Sequence, residues 1–292
     1  MNATFLFQRD FMDYHRDRFE DYSLMVYKDN KLVALLPANK VGNAIHSHQG
    51  LTYGGLLFDR KYPESLIKEI LISVKDYLES LSITCLQIKE QPEIYNQNLQ
   101  FYSTILNSVS TNIFETHKYL AINLSEEFKI HKTKLKHSRK GLEYGIGIRL
   151  DNDFSAFWIK VLIPKLEEKH QARPVHTLDE IERLHQLFPE NIVQYNAYIN
   201  DQIVGGITIF DKGAVVKSQY SASTKIGEKN YVIDTLFLYL INHYKAIGKQ
   251  FFSMGTVTTN DSLGYSPGLL KQKQELGCSI YGQQLINFSW HD

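Results

Sequence analysis

Two cysteines in 292 residues are the first shortage in this chain. Cys85 and Cys278 each sit inside an apolar run, which suits buried thiols in a reducing compartment and excludes a zinc site made of cysteine pairs. An excess of one charge is missing too. Lys+Arg and Asp+Glu both number 32, so no overall field draws the chain to nucleic acid or an anionic membrane, although a local basic patch is compatible with that balance. No apolar run approaches the roughly 18 residues of a membrane-spanning helix. The N-terminus, MNATFLFQRDFMDYH, carries acid early and lacks the apolar core of a signal peptide. These absences lead us to expect a cytoplasmic protein without a transmembrane segment. What is present is ordinary for a globular chain, with 43% hydrophobic and 22% charged residues, and the length suggests about two domains.

The order of elements is written twice. In the second half, Asn191 to Ile199, Gln202 to Phe210 and Ala214 to Ser221 read as strands. They are joined by Asn200-Asp201 and Asp211-Lys212-Gly213, both hairpin-turn chemistry. A polar loop, SASTKIGEKN, leads to a helix with Val232, Ile233, Leu236, Phe237, Leu240, Ile241 and Tyr244 in helical spacing, closed by Gly248. A strand (Gln250 to Met254), a helix opened by Ser266-Pro267 and a strand from about Cys278 follow. The first half repeats this: strands Tyr22 to Lys28 and Lys31 to Pro37 flank Asp29-Asn30, and Pro63 starts a helix. A strand (Ile83 to Ile88), a helix (about Gln97 to Asn107) and a strand (about Lys118 to Leu124) complete it. We therefore expect two related α/β units, residues 1–124 and 150–292, joined by a connector over 125–149. The connector contains FKIHKTKLKHSRKG, which reads as a basic helix. Thr177 with Glu180 forms a T-x-x-E capping box at the start of a further helix.

Three stretches carry a resemblance beyond this order: KHQARPVHTLDEIERL (Lys169 to Leu184), KSQYSAS (Lys217 to Ser223) and GLLKQKQELGCSIYG (Gly268 to Gly282). Together with the basic connector at Arg139-Lys140-Gly141, they make the chain resemble the tandem-GNAT acyltransferases, including the Fem-type aminoacyltransferases. Leu276 stands where an aromatic is usual in that family. The resemblance spans nearly the whole chain. It implies a mixed-sheet α/β fold of two tandem GNAT-like domains, and an N-acyltransferase acting on an amine of an amino sugar or cell-envelope precursor. An acyl-coenzyme A donor is implied, with charged tRNA as the alternative donor and a non-catalytic ligand-binding module as a third reading. The family's pyrophosphate loop has the form Q/R-x-x-G-x-G/A. Here it reads Thr224-Lys225-Ile226-Gly227-Glu228-Lys229, so the leading Gln/Arg is missing and Glu228 adds negative charge where a phosphate is expected.

The candidate site residues follow. His170 and His176 flank Arg173-Pro174 and are the candidate proton acceptors, since free imidazole titrates near neutral pH. Structural histidines are the competing account, and Glu167 and Glu168 an alternative base. Gln219, Tyr220, Ser221 and Ala222 lie on the strand that holds the acyl donor in the resembled fold. Tyr220 is also a candidate acid for the leaving group. Gly227, Thr256 and Asn260 complete the candidate donor site, with Thr258 and Thr259 beside them. In HSHQGLTYGG, His46, His48, Gln49 and Tyr53 are candidate acceptor contacts, with Gly54-Gly55 open to close approach by a ligand. A bulged strand with solvated histidines fits the same stretch, and no third ligand accompanies the His-x-His pair, so no metal is expected. The connector lysines (Lys129, Lys132, Lys134, Lys136, Lys140) and Arg139 suit either phosphate contact or a solvated helix face. Gly145-Ile146-Gly147 lacks the third glycine of a dinucleotide fold.

Overall fold

A computed structural model describes residues 2–95, 111–259 and 262–290, without the side chains of residues 111–114 and 170. The helix expected at about Gln97 to Asn107 lies outside the described residues. The chain divides into two compact units, Met1–Tyr119 with Tyr281–Asp292, and Leu120–Ile280. Each has its own apolar core.

The first unit opens with the short helix α1 (Arg9–Met12), then β1 (Glu20–Asp21), β2 (Leu24–Lys28), β3 (Lys31–Leu36), β4 (Asn39–Val41), β5 (Ala44–Ser47) and β6 (Leu57–Phe58). Helix α2 (Glu64–Ser80) and β7 (Cys85–Lys89) follow. Asp29 and Asn30 both have positive φ, at 51° and 60°, the conformation that a two-residue hairpin turn demands. Ile67, Ile70, Leu71, Val74 and Leu78 recur at helical spacing on α2 and are all buried.

Strand β8 (Thr111–Asn123) carries the chain into the second unit. There α3 (Lys132–Glu143) is the expected basic helix, and β9 (Gly147–Leu150) follows. Helices α4 (Phe154–Phe157) and α5 (Ile163–His170) are joined by a π-helical turn, Trp158–Leu162. Pro164, which has no N–H to give a preceding carbonyl, stands just after that turn. Helix α6 (Leu178–Leu187) starts at the expected capping box, with both Thr177–Glu180 bonds formed. The meander β10 (Ile192–Ile199), β11 (Gln202–Asp211) and β12 (Val215–Ser223) leads to α7 (Lys225–Lys229), α8 (Val232–Ala246), β13 (Phe251–Thr256) and α9 (Pro267–Glu275). Strand β14 (Ser279–Ser289) returns the chain to the first unit from Tyr281 onward, although the repeat had placed it in the second.

In the first unit the strand order is β1-β4-β5-β7-β14, with a separate β2-β3-β6 sheet. In the second it is β13-β12-β11-β10-β9, with β13 bordered by β8, whose residues 111–119 belong to the first unit and 120–123 to the second. Both units mix parallel and antiparallel pairs: β5 runs parallel to β7, and β12 to β13, among antiparallel neighbours. The mixed-sheet α/β class read from the sequence is therefore observed.

Two adjacent glycines on β11 explain how helices sit close on both faces of the second sheet. A Cβ on Gly205 would lie 2.5 Å from Val232 of α8, and one on Gly206 would lie 2.6 Å from Phe157 of α4. Consecutive strand residues face opposite sides, so the pair admits one helix on each side.

Phe288 of β14 is buried with Leu86, Ile88 and the α2 stripe in the first unit's core. Phe288→Ala should destabilise that unit by about 3–5 kcal/mol. Phe252→Ala, whose ring lies in the second unit's core, should do the same there. Urea titration followed by hydrogen exchange, resolved unit by unit, checks which core loosens.

Candidate active site

The second unit contains a split between two parallel strands. Strands β12 and β13 pair at Val215↔Phe251, Val216↔Phe252 and Lys217↔Ser253, and then diverge. Beyond Lys217, β12 carries a bulge: Ser218 and Tyr220 oppose Ile209 and Thr208 of β11, and Gln219 is left between them. On the other side, Gly255 at φ +69° turns the end of β13. Lys273 of α9 reaches that end and donates to the carbonyls of Met254 (2.5 Å) and Thr256 (2.8 Å). Burial pushes the Lys273 ammonium down to about 8. The groove in the split, about 350 Å³, is lined by Gln219, Tyr220, Ser221, Met254, Thr256 and Lys273, among others.

Beside it lies a cavity of about 560 Å³ that shares Leu162, Leu166, Ser221, Leu269 and Gln272 with the groove. Ala222 and the first turn of α8 also line it. Tyr231 stands at the N-cap of α8 in the left-handed conformation and makes no side-chain cap. The helix start thus offers a partial positive charge to this cavity. Lys134, Lys165 and Lys169 share the wall with Glu228 and Asp234.

The pyrophosphate-loop stretch is not an open loop. Thr224 caps α7, its hydroxyl accepting from the Gly227 N–H at 3.1 Å. The amides of Glu228, Asn230 and Tyr231 are likewise bonded within the stretch, to the carbonyls of Thr224, Ile226 and Glu228. Gly227 is a glycine because α7 presses on β11: a Cβ there would lie 2.1 Å from the Val204 carbonyl. Glu228 does not stand as a bare negative charge. Its carboxylate pairs with Lys165 at 2.6 Å and Lys169 at 3.5 Å, and the Lys165 hydrogen bond holds its pKa below the usual carboxylate value.

The basic connector helix has a packing role. Lys134 bonds both oxygens of Asp234, at 3.0 and 3.3 Å, and the His137 Nδ1 sits 2.7 Å from the same carboxylate. The His137 ring stacks on Tyr231 at 4.2 Å between centroids. Gly141 lets the helices touch, since a Cβ there would meet the Thr235 hydroxyl at 2.2 Å. Lys129, Lys132, Lys136 and Arg139 remain exposed, and Lys140 is partly exposed.

Of the candidate acid–base residues, His176 is buried and its Nδ1 lies 2.5 Å from the Tyr220 hydroxyl, which also accepts from the His176 N–H at 3.2 Å. The Trp158 indole donates to the His176 carbonyl. Tyr220 is therefore tied to His176 by two hydrogen bonds, and burial pushes its hydroxyl up to about 12. His176 does not line the groove or the cavity. The backbone of His170 ends α5, and its side chain lies outside the described residues, as does Asn260 entirely. Glu167 and Glu168 are on the surface of α5, the latter paired with Lys225 at 2.8 Å. Sequence reasoning gave no role to Lys165, Lys169, Tyr231 or Lys273. Their signal, lysines at i and i+4 on one helix and a lysine inside GLLKQKQELG, is legible only once the split is known.

In the first unit, His46, His48 and Gln49 line a cavity of about 330 Å³ with Gln87 and Lys89. Tyr53 is fully buried, against Phe7 and Tyr95, with its hydroxyl 3.0 Å from that of Thr4, so it presents no surface to a ligand. The glycines of this stretch serve packing rather than ligand approach. A Cβ on Gly54 would lie 1.6 Å from the Ser47 carbonyl, and one on Gly50 would strike the His15 ring. Gln49 is locked to Asn39 by two bonds, its N–H donating to Oδ1 and its Oε1 accepting from Nδ2. His48 lies just past β5, stacked on His15 at 5.5 Å, its Nδ1 accepting from the Gly50 N–H. No cluster of metal-ligating side chains occurs among the described residues.

Burial, with His15 adding to it, pushes His48 down to about 4, against an ordinary 6.5. The folded chain thus holds His48 neutral where the unfolded chain protonates it. Its contribution to stability is present above pH 6.5 and is lost as pH falls through 4. Glu90, pushed up to about 7 by burial, acts with the opposite sign between its ordinary 4.5 and 7. His48→Gln, which keeps an acceptor near Gly50, should make the first unit less sensitive to acid between pH 6.5 and 4. The difference between wild-type and variant urea midpoints across that range isolates the histidine, because Glu90 contributes to both.

No family model matches the chain, and no curated protein matches its sequence. Solved structures do match. One described as the crystal structure of FemX is 10% identical, covers 99% of this chain and 93% of its own, and superposes with a TM-score of 0.73. L-PGS from Bacillus licheniformis is 14% identical over 91% of this chain and 83% of its own, at a TM-score of 0.60. A tandem GNAT protein from the clavulanic acid biosynthesis pathway is 9% identical over 92% and 83%, at 0.50. At such identities the likeness is one of fold: the chain folds similarly to the structures described as FemX and as a tandem GNAT protein, over nearly its whole length.

Proposed function

We propose that this chain is a transferase that moves an acyl or aminoacyl group onto an amine, with the donor held in the split between β12 and β13. The observation that carries this reading is the split itself. Two parallel strands part after three residue pairs, a bulge leaves Gln219 without a partner in β11, and Lys273 reaches the parting end. A carbonyl laid along β12 meets backbone groups fixed in place before reaction, the arrangement that stabilises a developing oxyanion. The incoming amine forms the new C–N bond, the bond from the carbonyl carbon to the donor's oxygen or sulfur breaks, and the proton lost by the amine ends on that leaving group. Tyr220, tied to His176, positions the bulged strand for this step.

The chemistry of the neighbouring cavity bears on the choice of donor. The amides of Gly227, Glu228, Asn230 and Tyr231 bond within the stretch, which counts against an acyl-coenzyme A cradle there and supports an ester on tRNA as the donor. Lys134, Lys165 and Lys169 at the start of α8 suit phosphates of either carrier. That two of the fold's neighbours are described as FemX and as a putative lysylphosphatidylglycerol synthetase domain, the latter at a TM-score of 0.61, supports the same direction. The His46–His48–Gln49 cavity is our candidate for the acceptor, an amine on an amino sugar or envelope precursor, in a cytoplasmic setting.

Hydrogen exchange with a charged tRNA and, separately, with acetyl-coenzyme A is the test. We expect the charged tRNA to protect residues 217–223 and 251–256. Lys165→Ala combined with Lys169→Ala should weaken that protection about tenfold or more and flatten its dependence on salt by about two charges. Lys225→Ala, on the surface ion pair with Glu168, should leave it unchanged. Protection by acetyl-coenzyme A alone reverses the choice of donor, and protection by neither overturns the transferase reading.

A further inference from the structure

The walls of the groove away from β12 are mainly apolar: Leu162 and Leu166 from the π-helical turn and α5, Phe237 from α8, Met254 from β13, and Leu269 and Leu276 from α9, with Thr256 and Gln272 as the uncharged polar side chains. Among the described residues its charged lining is Lys217 and Lys273, and no aspartate or glutamate lines it. Both lysines are largely buried. Lys217 donates to the Gln219 Oε1 at 2.7 Å, beside the bulge, and a Cβ on Gly255 would lie 3.4 Å from its Cε. Lys273 holds the two carbonyls at the end of β13. Both ammonium groups therefore sit at the strands, where the reacting carbonyl is proposed to lie, while the helix walls beyond them offer apolar side chains and the uncharged amide of Gln272.

We infer that the transferred group carries an aliphatic chain without a charge at its far end, and that the groove rejects a cationic chain such as a lysyl side chain. This rests on the proposal that the donor's carbonyl occupies the split. An ammonium pushed among these apolar side chains loses its hydration without a carboxylate to replace it. A methyl-terminated chain avoids that penalty and gains from the area it buries. A terminal carboxylate is drawn toward the lysines but must leave water beside leucines to reach the helices, so it ranks between the two.

Binding of four donors provides the test: acetyl, and three that differ only at the chain end, hexanoyl, 5-carboxypentanoyl and 6-aminohexanoyl. Each is attached to two carriers, as the thioester of coenzyme A and as a non-hydrolysable 3′-amide of a tRNA acceptor minihelix. Affinity is read from hydrogen-exchange protection of residues 217–223 and 251–256. On whichever carrier protects these strands, hexanoyl should bind at least tenfold more tightly than 6-aminohexanoyl, and acetyl more weakly than hexanoyl. Equal or tighter binding of the ammonium chain overturns the inference, as does a carboxylate chain that outbinds hexanoyl, or an acetyl group that binds as well as hexanoyl. Absence of protection by every donor on both carriers overturns the transferase reading on which the inference depends. Leu269→Asp, at a partly exposed position of the wall, should narrow the discrimination against 6-aminohexanoyl severalfold. Leu166→Asp should do so as well. A preference unmoved by both variants, in chains shown to be folded by the protection of β10 and β11, assigns the discrimination elsewhere and also overturns the inference.

Discussion

The parting of β12 from β13 is the constraint on which the chemistry proposed for the second unit depends. A parallel pair normally continues until one strand ends, because an unpaired peptide group inside a protein costs free energy. Here the pair stops after Lys217↔Ser253 while both strands run on. The structure offsets that loss locally. Lys273 takes two carbonyls of β13, Ser218 donates to the Ser253 carbonyl, and the Gln219 bulge reorients β12. A buried lysine whose ammonium is pushed down to about 8 is a cost the fold carries to keep the split open.

Charge in the second unit is arranged so that acids are neutralised close to where an anionic carrier would arrive. Asp234, near the start of α8, complements the helix dipole but would repel phosphate if left alone. Lys134 and His137 from the connector helix face it, and Lys165 and Lys169 face Glu228. The basic composition of α3 thus has two destinations. Lys134 is buried in this pairing, whereas Lys132, Lys136 and Arg139 stay in solvent. An exposed lysine of this kind adds little to stability.

At several positions glycine marks close contact, with backbone or with a side chain. Gly54 against Ser47, Gly227 against Val204, and Gly205 with Gly206 between two helices all sit where a methyl group has no room. Gly227 shows how a motif position can be kept by packing while the surrounding loop closes into α7.

What the sequence by itself determined is local. Helical spacing placed α2 and α8, Asp29-Asn30 and Asn200-Asp201 set hairpin turns through their left-handed conformations, and Thr177 with Glu180 closed a capping box. Each depends on residues within a few positions of one another, so the chain's own order specifies it. The resemblance in Lys217 to Ser223 and Gly268 to Gly282 extended this to the fold class. Tertiary structure alone decided the rest. Tyr53 reads as a polar contact but is buried among aromatics brought from positions 7 and 95. Glu228 reads as a repulsive charge until α5 supplies its lysines. Strand β14 reads as part of the second unit, yet pairs with β7 at Phe288↔Leu86 in the first. In each case the deciding partner lies dozens to hundreds of residues away, and neither periodicity nor turn chemistry carries information over that distance.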